Sequence, residues 1–243
     1  MKKEKKRLDI IVQERRPELS RNYIQSIIMQ GKVLVDGKVC TKSGTMVNVD
    51  AEVDVRAQEP KYVSRAGYKL EKALDYFKVD VAGLVVLDAG ISTGGFTDCL
   101  LQRGAKRVYG IDVGYGQVHE KIRSDERVIL MERTNLRHIE KLPESIDLVT
   151  LDLSFISILK VMPAVVKLLA PRGRIVTLIK PQFEAEKADV GRGGIVKDEL
   201  VHKKVIEKIK DGMSSFSFEM IDVIESPIFG AKGNKEFLAL FES

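Results

Sequence analysis

Apolar positions in the first sixty residues change their period more than once. Leu8, Ile11 and Val12 in "RLDIIVQE" keep the i, i+3, i+4 spacing of a short helix. "PELSRNYIQSIIMQG" predicts a second helix, with Ser20 as N-cap, Ile24, Ile27 and Ile28 on one face, and Gly31 at its end. "KVLVDGKVC" alternates as a hairpin around Asp36-Gly37, and "AEVDV" reads as one more strand. Two helices on a small sheet make an α+β module of roughly 50 residues, with little core of its own.

From residue 84 the pattern is that of a different architecture. "LVVLDAG" is continuously apolar, as strands buried on both faces are. Helix "GGFTDCLLQRGA", strand "RVYGID", helix "QVHEKIRSD", and strands "RVILME" and "IDLVTLDLSF" follow. "LKVMPAVVKLLAPRG" predicts a helix with a proline inside it, and "RIVTLIK" a fifth strand. "DELVHKKVIEKIKDGM", "FEMIDVIESP" and "KEFLALFES" close the chain as helix, strand, strand. Such alternation implies an α/β fold with a doubly wound parallel sheet, whose ligands bind beyond the carboxyl ends of the strands. Lys180, ending "RIVTLIK", therefore stands over a binding site rather than in the core.

Composition narrows the class. Of 243 residues, 44% are apolar and 31% charged, ordinary values for a soluble globular chain. Cys40 and Cys99 are far apart and outside any CxxC or Cys/His cluster, so neither a disulfide scaffold nor a metal site is expected, and a reducing cytoplasm fits. The basic start, "MKKEKKRLDIIVQERRPE", leads into no apolar stretch of signal length. No run nears the roughly 18 apolar residues of a membrane-spanning helix. The net charge of +5 is uneven. Residues 1–58 hold 12 Lys/Arg against 8 Asp/Glu, and the remainder 28 against 27. That asymmetry points to a polyanion-binding module joined to a neutral body, with a merely solvated basic tail as the plain alternative.

The strand–helix turn "DAGISTGGF", residues 88–96, lets backbone approach a ligand closely. A dinucleotide fingerprint wants glycine at 90, 92 and 95, and the chain has Gly90, Ser92 and Gly95, with Gly94 added. The middle glycine is the one that clears space for a pyrophosphate, so a nicotinamide cofactor is disfavoured. A triphosphate motif is absent too. Asp112 ends the second strand, 24 residues past Asp88, where an acid suits the two hydroxyls of a ribose. A ribose without phosphate fits S-adenosylmethionine. Glu132 and Asn135, near the end of the third strand, could reach its adenine.

Two resemblances extend this reading. On "RLD", "SRNYIQSIIMQGKVLVDGK" and the trailing strand, the first fifth of the chain resembles the RNA-binding domain of ribosomal protein S4. That resemblance implies Arg7, Arg21, Lys32 and Lys38 facing phosphate, contacts that position RNA without selecting its sequence. On "YVSRAGYKLEKAL", "STGGFTDCLLQRGAKRVYGIDVGYGQ", "LDLSFIS", "IKPQFEA", "VGRGGIVKD" and "SPIFGAKGNKEFL", the whole chain resembles the TlyA (hemolysin A) type of ribosomal RNA 2′-O-methyltransferase, related to the FtsJ group.

The second resemblance implies a catalytic tetrad at Lys69, Asp152, Lys180 and Glu236, and a cofactor loop beginning at Asp88 with Gly90, Ser92, Thr93 and Gly94. It places Asp112 on the ribose of S-adenosylmethionine, makes the last strand antiparallel, and names ribosomal RNA in ribosomal subunits, with cytidine as target. Lys180 then either takes the proton of the ribose 2′-hydroxyl or stays charged and stabilises the forming alkoxide. The expected division is an S4-like domain over 1–58, a linker over 59–63 and a methyltransferase domain over 64–243. The competing classes are a membrane-lytic hemolysin and a non-catalytic RNA-binding or ribosome-assembly factor. "GRGGIVKDE", residues 191–199, is either a mobile loop or a rigid connection.

Overall fold

The structure is a computed structural model that describes residues 4–57 and 60–243. The expected boundary at 58/59 lies outside the described residues. The chain divides into two compact units, one ending at Lys61 and the other spanning Tyr62–Ser243.

The first unit runs β1 (Lys5–Arg7), α1 (Leu8–Arg15), α2 (Arg21–Met29), β2 (Val33–Val35), β3 (Lys38–Cys40), β4 (Met46–Asn48) and β5 (Val53–Val55). The Ser20 hydroxyl accepts the Tyr23 N–H at 3.2 Å and caps α2. Asp36 and Gly37 take φ of 47° and 75°, the pair of positive values that a two-residue hairpin turn needs. β2 pairs with β3 and β5, while β1 pairs antiparallel with β4. These last two strands were not expected from the sequence. Three residues carry no period, and β1 is all basic, "KKR". Leu8, Ile11, Val12, Ile24, Ile27 and Ile28 supply the core between the helices.

The second unit runs α3 (Ala66–Phe77), β6 (Val85–Ala89), α4 (Gly95–Gln102), β7 (Arg107–Ile111), α5 (Glu120–Arg123), β8 (Val128–Met131), β9 (Ile146–Leu151), α6 (Met162–Leu168), β10 (Leu169–Ile179), α7 (Pro181–Glu184), α8 (Glu199–Ser214), β11 (Glu219–Glu225) and β12 (Phe237–Glu242). Its seven-stranded sheet has the order β11-β12-β10-β9-β6-β7-β8. The pairs from β10 to β8 are parallel, and β12 lies antiparallel between β10 and β11. The winding reverses at β6, which has β7 on one side and β9 on the other, so the crevice for a ligand opens at their carboxyl ends.

Two expected helices differ in extent. "LKVMPAVVKLLAPRG" is α-helical only over Met162–Leu168, after a 3-10 turn over Ile158–Lys160, and Pro163 lies in the first turn of the α-helix rather than inside it. From Leu169 the chain is already strand, pairing with Ile146 before the regular ladder resumes at Arg174. The helix in "QVHEKIRSD" is a single turn, capped by the His119 ring nitrogen.

Both faces of the sheet are covered. Odd-numbered residues of the central strands, such as Leu87, Val149, Ile175 and Ile179, pack with α6 and α8 residues including Val165 and Ile209. Even-numbered Val86, Leu148, Val176 and Leu178 pack with Leu70 of α3 and Leu100 of α4.

Candidate functional site

That alternation sets where the strand-end side chains go. Asp152 follows Leu148 and Thr150 at period two, and Lys180 follows Val176 and Leu178. Glu236 precedes Leu238 and Leu240 in the same way. All three thus lie on the face covered by α3, which carries Lys69 among its buried residues. Because β12 runs antiparallel to β10, its amino end meets the carboxyl end of β10. The register pairs Ile179 with Phe237, so Lys180 and Glu236 are the next positions outward on adjacent strands.

The four groups form two ion pairs. Lys69 Nζ donates to Glu236 Oε2 at 2.5 Å, with both side chains buried. Lys180 Nζ lies 2.6 Å from Asp152 Oδ1 and donates to the Ser154 hydroxyl at 3.1 Å. The nitrogen has three positions beyond its side-chain carbon, so these two contacts leave Lys180 one more for a substrate. Gly230 packs on the other side of Glu236. A Cβ there would stand 1.9 Å from Glu236 Oε1, although the φ of −70° suits any residue. Ser154, Gly230 and the aromatic pair Phe155 and Phe183 (ring centroids 5.0 Å apart) were not singled out from the sequence. Phe155 is 90% exposed, and no periodicity distinguishes a residue in a loop. The usable signal was its place three residues beyond Asp152, matched by Phe183 three beyond Lys180.

The glycine-rich turn borders this cluster. A Cβ on Gly90, whose φ is +87°, would lie 2.6 Å from the Asp152 carbonyl, so the turn and the end of β9 touch as only glycine permits. Ser92 holds φ +50° and donates its N–H to Asp112 Oδ2 at 2.9 Å, while Gly114 donates to Oδ1 at 2.7 Å. Asp112 is thereby fixed at the rim of the crevice with lone pairs left over for hydroxyl donors. Gly94 opens α4 as its N-cap, directly after Thr93. The carboxylate of Asp112, an acceptor at the end of β7, fits the ribose hydroxyls of a nucleoside, and no cationic residue occurs in 88–96.

Asp88 has a different place from the one expected for a ligand contact. It is fully buried beneath the turn, accepting from Thr97 Oγ1 at 2.6 Å and Thr150 Oγ1 at 2.9 Å. Burial pushes its carboxyl up to about 6, against the lowering effect of the two hydroxyls. It shapes the turn from below. Glu132 and Asn135 are likewise engaged within the protein. Glu132 holds Arg123 through both oxygens at 3.0 Å and accepts the Gly116 N–H, and Asn135 caps Arg137.

In the first unit Arg21, Lys32 and Lys38 are exposed and form no ion pair among the described residues. Arg7 differs: its guanidinium grips buried Asp9 through two hydrogen bonds of 2.8 and 3.0 Å, and the Asp9 carboxyl is held low by it. Among the described residues no group of three or more His, Cys, Asp or Glu could hold a metal, and no helix is long and apolar enough to cross a membrane. A surface hollow of about 580 Å³, lined by Leu74, Asp75, Val81 and Arg103 among others, lies at the amino end of β6, away from the cluster.

Comparison with known proteins gives the family. Residues 62–243 match the FtsJ-like methyltransferase family and residues 6–53 the S4 domain. Hemolysin A of Brachyspira hyodysenteriae is 44% identical over 239 residues, 97% of this chain and 99% of the relative. The 16S/23S rRNA (cytidine-2′-O)-methyltransferase TlyA of Mycobacterium tuberculosis is 42% identical over 221 residues, 90% of this chain and 82% of the relative. A solved structure from Streptococcus thermophilus that carries a hemolysin name superposes with a TM-score of 0.78 at 38% identity, covering 98% of this chain and 88% of that one. The chain belongs to the FtsJ-like methyltransferase family and carries an S4 domain ahead of its methyltransferase unit.

Proposed function

We propose that this protein transfers a methyl group from S-adenosylmethionine to a ribose 2′-hydroxyl of ribosomal RNA, with cytidine as the target nucleoside, acting on ribosomal subunits in the cytoplasm. The observation that carries the reading is the pairing of Lys180 with Asp152 beside the buried Lys69–Glu236 pair, at the strand ends that border Gly90. The relatives named as methyltransferases support the substrate class.

S-adenosylmethionine, when bound, supplies a methyl group already activated by a sulfonium, so the protein needs no further electrophile. Asp112 would hold the cofactor's ribose hydroxyls, and the turn at Gly90, Ser92, Thr93 and Gly94 would receive the cofactor against its backbone. The substrate hydroxyl is a weak acid and a poor nucleophile. Lys180, steadied by Asp152 and Ser154, meets that oxygen with the lone pair of its neutral amine and accepts the hydroxyl proton as the oxygen–carbon bond forms and the sulfonium leaves as a neutral thioether. Glu236 and Lys69 keep a compensated pair of charges beside it and exclude water. Positioning of this kind is worth up to roughly 7–11 kcal/mol in intramolecular reactions, and acid–base assistance about 10²–10⁴-fold. Phe155, exposed over Phe183, offers the base of the target nucleotide an aromatic face.

The S4-like domain over 1–58 then brings RNA, and the domain over 64–243 performs the chemistry. Arg21, Lys32 and Lys38 contact phosphate, whereas Arg7 acts through its pair with Asp9 and reaches RNA with only part of its guanidinium. The test is transfer of a tritiated methyl from S-adenosylmethionine to purified ribosomal subunits, followed by mapping of the labelled sugar. Label on a 2′-oxygen is expected. RNA binding without transfer would instead favour an assembly factor.

A further inference from the structure

Glu184 ends α7, the single turn that follows Lys180, and is only 3% exposed. It belongs to neither ion pair of the cluster. Its Oε1 accepts the Ile158 N–H at 2.7 Å. That bond joins the two segments that carry the site. Residues 152–158 include Asp152, Ser154 and Phe155, and residues 180–184 include Lys180 and Phe183. The two stretches also meet where Lys180 touches Asp152 and Ser154, and where Phe155 lies against Phe183. Those contacts are made by groups that a substrate would engage, and Ser154 and Phe155 are exposed. The Glu184 bond is the one at the buried end. Behind it, Lys208 of α8 donates to the Glu184 carbonyl at 2.5 Å and anchors α7 to the body of the sheet.

A carboxyl is an expensive group to bury, and burial pushes this one up from its ordinary range. An apolar side chain would pack there more cheaply but would leave the Ile158 N–H without an acceptor. We propose that Glu184 is a positioning residue of the methyl-transfer site: by docking the 152–158 segment onto the 180–184 turn, it fixes Lys180, Asp152 and Phe155 relative to one another. The gain is pre-organisation, since a displacement of about 1 Å at the reacting atoms costs on the order of 10²-fold in rate. This inference rests on the methyl-transfer reading above.

The test compares wild type, Glu184→Leu and Glu184→Gln on purified ribosomal subunits, with S-adenosylmethionine binding measured on the same preparations. Wild-type transfer is the control for the reaction itself, and its absence overturns reaction and inference together. With wild type active, Glu184→Leu is expected to lose at least ten-fold in kcat while binding a full equivalent of S-adenosylmethionine with unchanged Kd. A merely destabilised protein would lose cofactor stoichiometry and activity in parallel, which overturns the positioning role. Glu184→Gln keeps an oxygen acceptor for Ile158 and is expected within about three-fold of wild type. A folded glutamine variant down by more than ten-fold would overturn the inference, and does so even if the leucine variant fails to fold. Leucine activity equal to wild type also overturns it.

Discussion

Glu236 sits between Lys69 and Gly230, and the fit on the glycine side is tight enough to be tested with one methyl group. Gly230→Ala introduces no backbone strain at φ −70°, so its effect comes from the carboxylate it displaces. The variant is expected to lose at least ten-fold in methyl transfer, measured with labelled cofactor, with S-adenosylmethionine affinity retained. Asp88 gives a pH signature. Its folded form holds the proton more tightly than the unfolded chain does. The stability it contributes is therefore complete below about pH 4 and is lost as pH rises through about 6. Urea unfolding of wild type and Asp88→Asn should show a stability difference that shifts in the variant's favour across that window, by on the order of 3 kcal/mol. A difference independent of pH would contradict the burial argument. Residues of this kind were only partly legible. Lys180 announced itself as a charge ending an apolar strand, whereas Asp152 and Asp88 came with the family resemblance, and Asp88 lies buried within β6. Period two assigns a side chain to a face, but whether that face is covered depends on how α4 folds back over β6 and on Thr150 of the neighbouring strand.

Elements were most legible where several signals agreed. α2 had a cap, an apolar face and a terminating glycine, and each performs the expected part. Replacing Ser20 with Ala should cost the first unit about 1 kcal/mol, read from chemical unfolding, because Tyr23 loses its acceptor. No change would mean that water or the loop satisfies that N–H equally well. The least legible stretch was 159–173. Its apolar spacing is helical, but the decision between helix and strand at Leu169 is made by pairing with Ile146, a contact that local sequence does not carry. β1 and β4 escaped notice for the same reason: each exists only because the other does.

Across the whole chain, charge asymmetry and the change of period separate a small basic module from a parallel α/β body, and both units follow that division. If the first unit supplies phosphate contacts, changing Arg21, Lys32 and Lys38 together to Ala should weaken RNA binding and reduce the salt dependence of log K by roughly 2–3. Binding measured at several salt concentrations checks this, and an unchanged slope would assign those residues to solvent. What sequence could not supply was the convergence of Lys69, Asp152, Lys180 and Glu236, which depends on β12 turning back between β10 and β11. The most direct measurement is methyl transfer to ribosomal RNA by Lys180→Met, made beside S-adenosylmethionine and RNA binding by the same protein. Transfer reduced by at least 10²-fold with both affinities intact is the predicted result. Transfer at the wild-type rate would show that the reaction does not run through this amine.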